Sequence, residues 1–414
     1  MERLFSTIKS ILPPLSAILL LMLGNGFFLS FTSLRLNRLG FEEWVIGVVH
    51  SAYYLGMLIG AARAEKVINR VGHIRAYAAY AGIGTVCLML QGLTPHPLVW
   101  VLVRLNMGFC LAVYYIVVES WLLCNATTAN RGSILSVYMI ALYLSQAVSQ
   151  FILNVINLDG ADPFLIAGLL GAASAVPLTL TKAPSPYLHE PSGHSLWSLF
   201  EKSHFGFSGC LISGVILSSI YGFAPLFAKT NELSVAWIMS SYIFGGVILQ
   251  WPVGKLSDIL DRRRVLFGLT LATALQAGLV IALDPQGYWI YSFVFILGGL
   301  VFTLYPLSIT EVCDKLQPQD ITKATGMLLL AYGIGAVIGP LLAPLCIDFS
   351  PKYGLFLFIL INAGGLLAIG IRSFIYSPAV PEELQTEFVP LPRITPVAYE
   401  LDPRADEMTE EENH

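Results

Sequence analysis

Charge is what this chain has least of. Only 12% of its 414 residues are Asp, Glu, Lys or Arg, about half the share of a soluble globular protein, while 56% are hydrophobic and the mean hydropathy is +0.71. No Gly-x-x-x-x-Gly-Lys-Ser/Thr run occurs, so a phosphate loop fuelled by ATP is excluded. The six cysteines (Cys87, Cys110, Cys124, Cys210, Cys313, Cys346) never fall in a paired spacing, and no His/Cys/Asp/Glu group has metal-ligand spacing. They read as small packing residues, and no disulfide framework, metal or cofactor is expected. A soluble domain that could hold a nucleophile triad is missing, which argues against an enzyme and leaves no catalytic residue to name. Basic residues are not interleaved with aromatics, which argues against nucleic acid.

Long apolar runs fill the space instead. Twelve can be traced, at about 12–36, 44–66, 74–94, 97–124, 132–157, 163–182, 205–229, 235–256, 265–284, 288–313, 324–347 and 353–377. Each is close to or above the ~20 residues that a helix needs to cross ~30 Å of hydrocarbon. They lack the alternation of barrel strands, and in lipid each backbone amide must find its partner within its own segment. An all-α membrane protein with 12 transmembrane helices follows. The first run has no small-residue cleavage site and reads as a retained helix, not a signal peptide.

Lysine and arginine set the orientation. With the amino terminus inside, the cytoplasmic segments and helix ends hold 18 of 23 basic residues, and the other face holds Arg35, Arg38, Lys229 and Lys352. That asymmetry predicts both termini in the cytoplasm. Arg104 belongs to neither face.

The charged stretch Gly254-Lys255-Leu256-Ser257-Asp258-Ile259-Leu260-Asp261-Arg262-Arg263-Arg264 lies between two apolar runs, and a weaker copy occupies Lys66 to Arg75. Arg262 minus Arg70 gives an offset of 192, and the same offset pairs Asn69 with Asp261, Glu119 with Glu311 and Arg131 with Lys323. Four landmarks at one spacing point to an internal repeat of about half the chain. The expected division is a six-helix bundle over 1–182, a polar, irregular connector over 183–204 and a second six-helix bundle over 205–377. An acidic, disordered cytoplasmic tail is expected over 378–414, where ten carboxylates face Arg393 and Arg404, a charge of −8.

Twelve helices in two halves, with this stretch after the second and again after the eighth, resemble the major facilitator superfamily (MFS). Its signature is roughly Gly-x-x-x-Asp-x-x-Asp/Asn-Arg-x-Gly-Arg/Lys-Arg. The second copy supplies Gly254, Asp258, Asp261, Arg262 and Arg264; in the first, Ala62 stands for the glycine and Lys66 for the first aspartate. Val118-Glu119-Ser120-Trp121-Leu122, with Arg131-Gly132 and Val137-Tyr138-Met139, resembles the YcaD-like bacterial branch. The resemblance implies the MFS fold of two pseudo-symmetric bundles. It also implies a secondary active transporter working by alternating access in a bacterial inner (plasma) membrane, proton-coupled and monomeric.

Carried over residue by residue, the resemblance makes Asp258, Asp261 and Arg262 a cytoplasmic gate, with Glu311 as partner and Arg70, Glu119 and Arg131 as the weaker first copy. Charge-assisted hydrogen bonds would hold it; the plainer alternative is that the arginines only enforce topology. Arg104, Gly108, Tyr115 and Glu119 share one stripe of the fourth run. A charge there normally faces a partner or a watery cavity, unless Arg104 merely snorkels. Arg104-x-x-x-Gly108 is similar to a motif of proton-coupled members. Residues expected to bind substrate or couple protons are Asn25, Arg104, Tyr115, Gln146, Tyr221, Gln250, Trp251, Tyr305 and Tyr332; buried polar groups need partners, so Asn25, Gln146 and Gln250 could instead join helices.

An intramembrane arginine suggests a small organic solute that is anionic or zwitterionic. Efflux by a drug or metabolite:proton antiporter is the rival within the class. It is weakened because the fifth run, Tyr143 to Gln150, lacks the glycine-proline motif of the family's antiporters. From another class, a transporter-like receptor or scaffold could signal through the acidic tail; deleting 378–414 would abolish its output and spare a transporter's flux.

Overall fold

The structure, a computed structural model, describes residues 2–127, 130–181, 196–316 and 320–376, together with 385, 388, 389, 393 and 395–397. Among the described residues there is no strand. The helices are α1 (Glu2–Arg38), α2 (Glu43–Val71), α3 (His73–Leu93), α4 (Pro97–Cys124), α5 (Arg131–Ser149), α6 (Asp162–Ala173), α7 (Ala175–Thr179), α8 (Leu196–Lys202), α9 (His204–Thr230), α10 (Val235–Ile259), α11 (Arg262–Leu283), α12 (Trp289–Cys313), α13 (Ile321–Phe349) and α14 (Gly354–Tyr376). Twelve helical spans are long and apolar enough to cross a membrane, each beginning within three residues of a run read from the sequence. Most of the expected connector, with the prolines Pro184, Pro186 and Pro191, lies outside the described residues; its last part is not irregular but forms α8.

Two compact units emerge, one of residues 1–35, 52–191 and 394–414 and the other of 36–51 and 192–393. The division cuts α1 and α2, so residues 36–51 pack with the later helices. There the Ser51 hydroxyl donates to the Val337 carbonyl at 2.7 Å, and buried His50 lies beside Gly222.

Glycine fixes how closely the helices approach. In the first unit a Cβ on Gly56 would run into the Leu105 carbonyl and one on Gly108 into that of Tyr53, so the α2 and α4 backbones touch. The second unit repeats the device: Gly245 sits on the Phe295 carbonyl and Gly298 on that of Tyr242, joining α10 to α12. Small residues permit such contacts where no hydrophobic force drives helices together.

The spans keep the repeat read from the charges: Glu43 and Val235, Pro97 and Trp289, and Asp162 and Gly354, each the start of a span, are 192 residues apart. The helix ends beside the charged stretches differ: α2 runs on to Val71 and carries Arg70 in its last turn, whereas Arg262 is the first residue of α11.

Caps explain where helices start. The Ser203, Ser234 and Asp261 side chains accept backbone N–H groups at 3.2, 3.4 and 2.9 Å, opening α9, α10 and α11. Outside the spans, the Lys352 ammonium meets Asp284 at 2.5 Å. That hydrogen bond holds the Asp284 carboxyl below its ordinary pKa and the Lys352 ammonium above its own. Any stabilisation is therefore present at neutral pH, fading as pH falls through the Asp284 pKa or rises through that of Lys352. Both groups are open to solvent, so the effect is small.

Candidate functional site

In the first unit the site grows around Arg104. Close approach at Gly108 brings Tyr53, on α2, beside the arginine one turn earlier on α4. The guanidinium is 1% exposed, so it does not snorkel. It lies 4.8 Å from the Phe28 ring centroid and 5.7 Å from that of Tyr53. Its Nη2 donates to the Phe28 carbonyl at 3.2 Å, while Nε and Nη1 have no hydrogen-bond partner among the described residues. Asn25 Nδ2 donates to the Tyr53 hydroxyl at 3.1 Å, closing an Asn25–Tyr53–Arg104 cluster.

Tyr115 and Gln146 also bear on α1. The Tyr115 hydroxyl donates to Met22 Sδ at 3.2 Å, and Gln146 backs Gly26. Gln150 ties the same stretch down, accepting from Ser30 at 2.8 Å and donating to the Gly26 carbonyl at 3.0 Å. A pocket between α1, α3, α4 and α6 is lined mainly by apolar groups such as Leu21, Leu88 and Ala167, and Asn25 and Phe28 of the Arg104 cluster stand in its wall. Its polar side chains, Asn25, Thr85 and Tyr114, carry no charge.

In the second unit the aromatic candidates converge. Tyr305 and Tyr332 stand 4.8 Å apart, and Tyr221 lies 6.5 Å from Phe302, one helical turn before Tyr305 and Pro306. Gln250 is buried and its Nε2 has no hydrogen-bond partner among the described residues. Trp251, one position on, is 66% exposed, and the Lys255 ammonium sits 4.2 Å from its ring. Trp251→Ala is accordingly expected to leave solute uptake within about twofold of wild type, as surface changes do; initial uptake rates check this.

The gate candidates do not form one cluster. Arg262, 1% exposed, grips Asp314 with one amino group at 2.6 and 2.7 Å and Asp258 with the other at 3.1 Å. Glu311 is not its partner in this structure: it accepts from Ser203 and from Lys315, both at 2.5 Å. Asp314 takes the role because it lies almost a full turn beyond Glu311, at the α12 cap, level with the start of α11. Asp261 caps α11 and meets Arg264 at 3.6 Å, and Arg263 packs 4.5 Å over Phe374. In the first unit Arg70 is exposed at the end of α2, half-buried Arg131 opens α5, and the buried Glu119 carboxylate accepts from the Tyr138 hydroxyl at 2.7 Å and from Thr395. The side chain of Lys323, paired with Arg131 in the repeat, lies outside the described residues.

Three residues escaped the sequence reading: Asp314, Phe302 and Arg393. In the sequence Arg393 is one charge in the acidic tail, most of which lies outside the described residues. It is 5% exposed, 4.7 Å over the Phe302 ring and 5.9 Å over that of Tyr305, and its guanidinium donates to the Phe302 carbonyl.

Twelve apolar spans, a glycine-built repeat and buried guanidinium groups on polar and aromatic clusters define a polytopic helical membrane carrier. The family model of the Major Facilitator Superfamily matches residues 15–235 and 229–395, and the chain belongs to that family. Its members carry small-molecule solutes across membranes and are not enzymes. The chain is 30% identical over 331 residues, 79% of its own length and 86% of the relative's, to the MFS-type transporter YcaD of Escherichia coli (strain SMS-3-5 / SECEC). Among solved structures, the nucleoside transporter NupG aligns with a TM-score of 0.71 at 17% identity, over 89% of this chain and 98% of that one. The human organic anion transporter MFSD10 (TETRAN) aligns at 0.62 and 12%, over 88% and 99%.

Proposed function

We propose that this protein is a secondary active transporter of a small organic solute bearing an anionic group, either anionic or zwitterionic, driven by protons through alternating access in a bacterial inner membrane. The observation that carries the solute class is the Arg104 guanidinium, buried with two donor groups lacking partners among the described residues. A buried cation without a carboxylate is unfavourable to the fold, which is the mark of a group kept for a ligand. Proton coupling is supported by Glu119, fully buried on the same helix, two of whose contacts are hydroxyls that suit either protonation state. Asp258, Asp261 and Arg262 remain the proposed cytoplasmic gate, with Asp314 in place of Glu311, both termini in the cytoplasm and the protein a monomer.

Arg104→Met separates ligand binding from folding. The neutral, similarly long side chain is expected to leave thermal stability equal or higher, because it removes an unpaired buried charge. Uptake of the solute should fall at least about thirtyfold, as when a buried charged hydrogen-bond partner is truncated. The experiment incubates right-side-out membrane vesicles with a metabolite mixture under an inward proton gradient and reads accumulation by mass spectrometry. A solute accumulated equally by wild type and Arg104→Met would remove Arg104 from the binding site.

A further inference from the structure

Proline opens the α12 backbone where the aromatic residues meet. Pro306 has no N–H to give to the carbonyl four residues back, that of Phe302, and the Arg393 guanidinium donates there instead. Pro225 in α9 likewise supplies no N–H to the Tyr221 carbonyl, and the Tyr221 ring is 6.5 Å from Phe302. Beside these carbonyls stand the faces of Phe302 and Tyr305, with Tyr332 against Tyr305. A buried backbone acceptor that proline leaves without its helical N–H donor, under aromatic faces, is the chemistry that holds a guanidinium or ammonium group.

We infer that the Phe302–Tyr305 turn of α12 is an organic-cation seat, and that Arg393 fills it as an internal pseudo-ligand which a free guanidinium or primary ammonium compound displaces. The fit of Arg393 is incomplete. Its Nε and Nη1 have no hydrogen-bond partner among the described residues, so the seat satisfies only part of the charged group it holds. Its approach along the second unit is otherwise anchored: the Phe388 N–H donates to Asp258 at 2.8 Å, the Phe388 ring lies on Gly254, and Val389 is buried. These contacts bring a cation that is poorly satisfied by hydrogen bonds to a site that a small cation can enter without ordering a chain segment. The inference rests on the transport reading for its purpose. Its test needs no transport.

Calorimetric titration of the purified full-length protein with 2-phenylethylammonium compares wild type, Arg393→Ala and the Arg393→Ala, Phe302→Leu double variant, with phenylacetate as the anionic control. Emptying the seat should tighten 2-phenylethylammonium binding at least about tenfold, and removing the Phe302 ring should then weaken it about tenfold, the scale of a desolvated cation–π contact. Phenylacetate binding should not depend on residue 393. Wild-type protein gives a readout free of variants, because trypsin can cut after Arg393 only when its side chain leaves the seat. Adding 2-phenylethylammonium should speed that cut relative to the one after Arg404. Equal affinities in wild type and Arg393→Ala, or an unchanged ratio of the two cuts, would overturn the inference. Displacement without any flux in vesicles would leave the seat standing and sink the transport reading instead.

Discussion

Arg262→Ala should destabilise the protein by about 3–5 kcal/mol, the usual consequence of leaving one partner of a buried ion pair uncompensated. The Arg262 and Asp314 side chains are only 2% and 3% exposed and meet at 2.6 Å, so the deletion strands a carboxylate out of water. The Asp258 side chain, 35% exposed at 3.1 Å from the same guanidinium, keeps its hydration, and Asp258→Asn should cost under about 1 kcal/mol. Unfolding by sodium dodecyl sulfate titration reads both. Adding Asp314→Asn to Arg262→Ala should recover much of the loss, since the stranded charge is then gone. Equal losses for Arg262→Ala and Asp258→Asn would show that Asp314 is not the principal partner.

Valine at Gly245 or Gly298 should have an effect as large. Each Cβ would fall well inside the 3.0 Å that real Cβ atoms keep, and the atom it meets is a backbone carbonyl of the facing helix, which no rotamer change can move. Overpacking already costs ~1–3 kcal/mol where side chains can yield, so no monodisperse protein is expected from either variant. Helical Gly278 and Gly364 have no atom within 4 Å of an added Cβ. Alanine at those two positions should be tolerated and could add about 0.5–1 kcal/mol through helix propensity. Detergent-extracted yield and elution profile compare the four.

Spans and fold were legible because lipid imposes one requirement on every residue of a run, and twelve runs satisfy it without help from tertiary contacts. Arg104 was legible for a related reason: one charge in an apolar run is conspicuous. Partners were not. Glu311 and Asp314 lie almost one turn apart on α12, and only the height of the α11 start decides which of them meets Arg262. Trp251 shows the same limit, since a mid-span aromatic cannot be assigned inward or outward until its helix is rotated into place. Repeat length was legible because the spans themselves keep it, three of them in the second half starting 192 residues after their counterparts in the first. Arg393 was hidden by its neighbours: ten acidic residues in the tail made composition point to solvent, while one arginine with proline-opened backbone to bind lies inside the second unit. Pro306 was the available clue, because a proline within a span always leaves a carbonyl short of its donor four residues earlier.

The measurement closest to the central claim is solute-driven proton movement in proteoliposomes that enclose a pH-sensitive dye. Solutes accumulated by the vesicles are added outside at equal pH. Wild-type protein is expected to change the internal pH within seconds of solute addition, and Arg104→Met to leave it flat while remaining folded. No pH change in either protein, with no solute accumulation under a proton or a sodium gradient, would contradict the account.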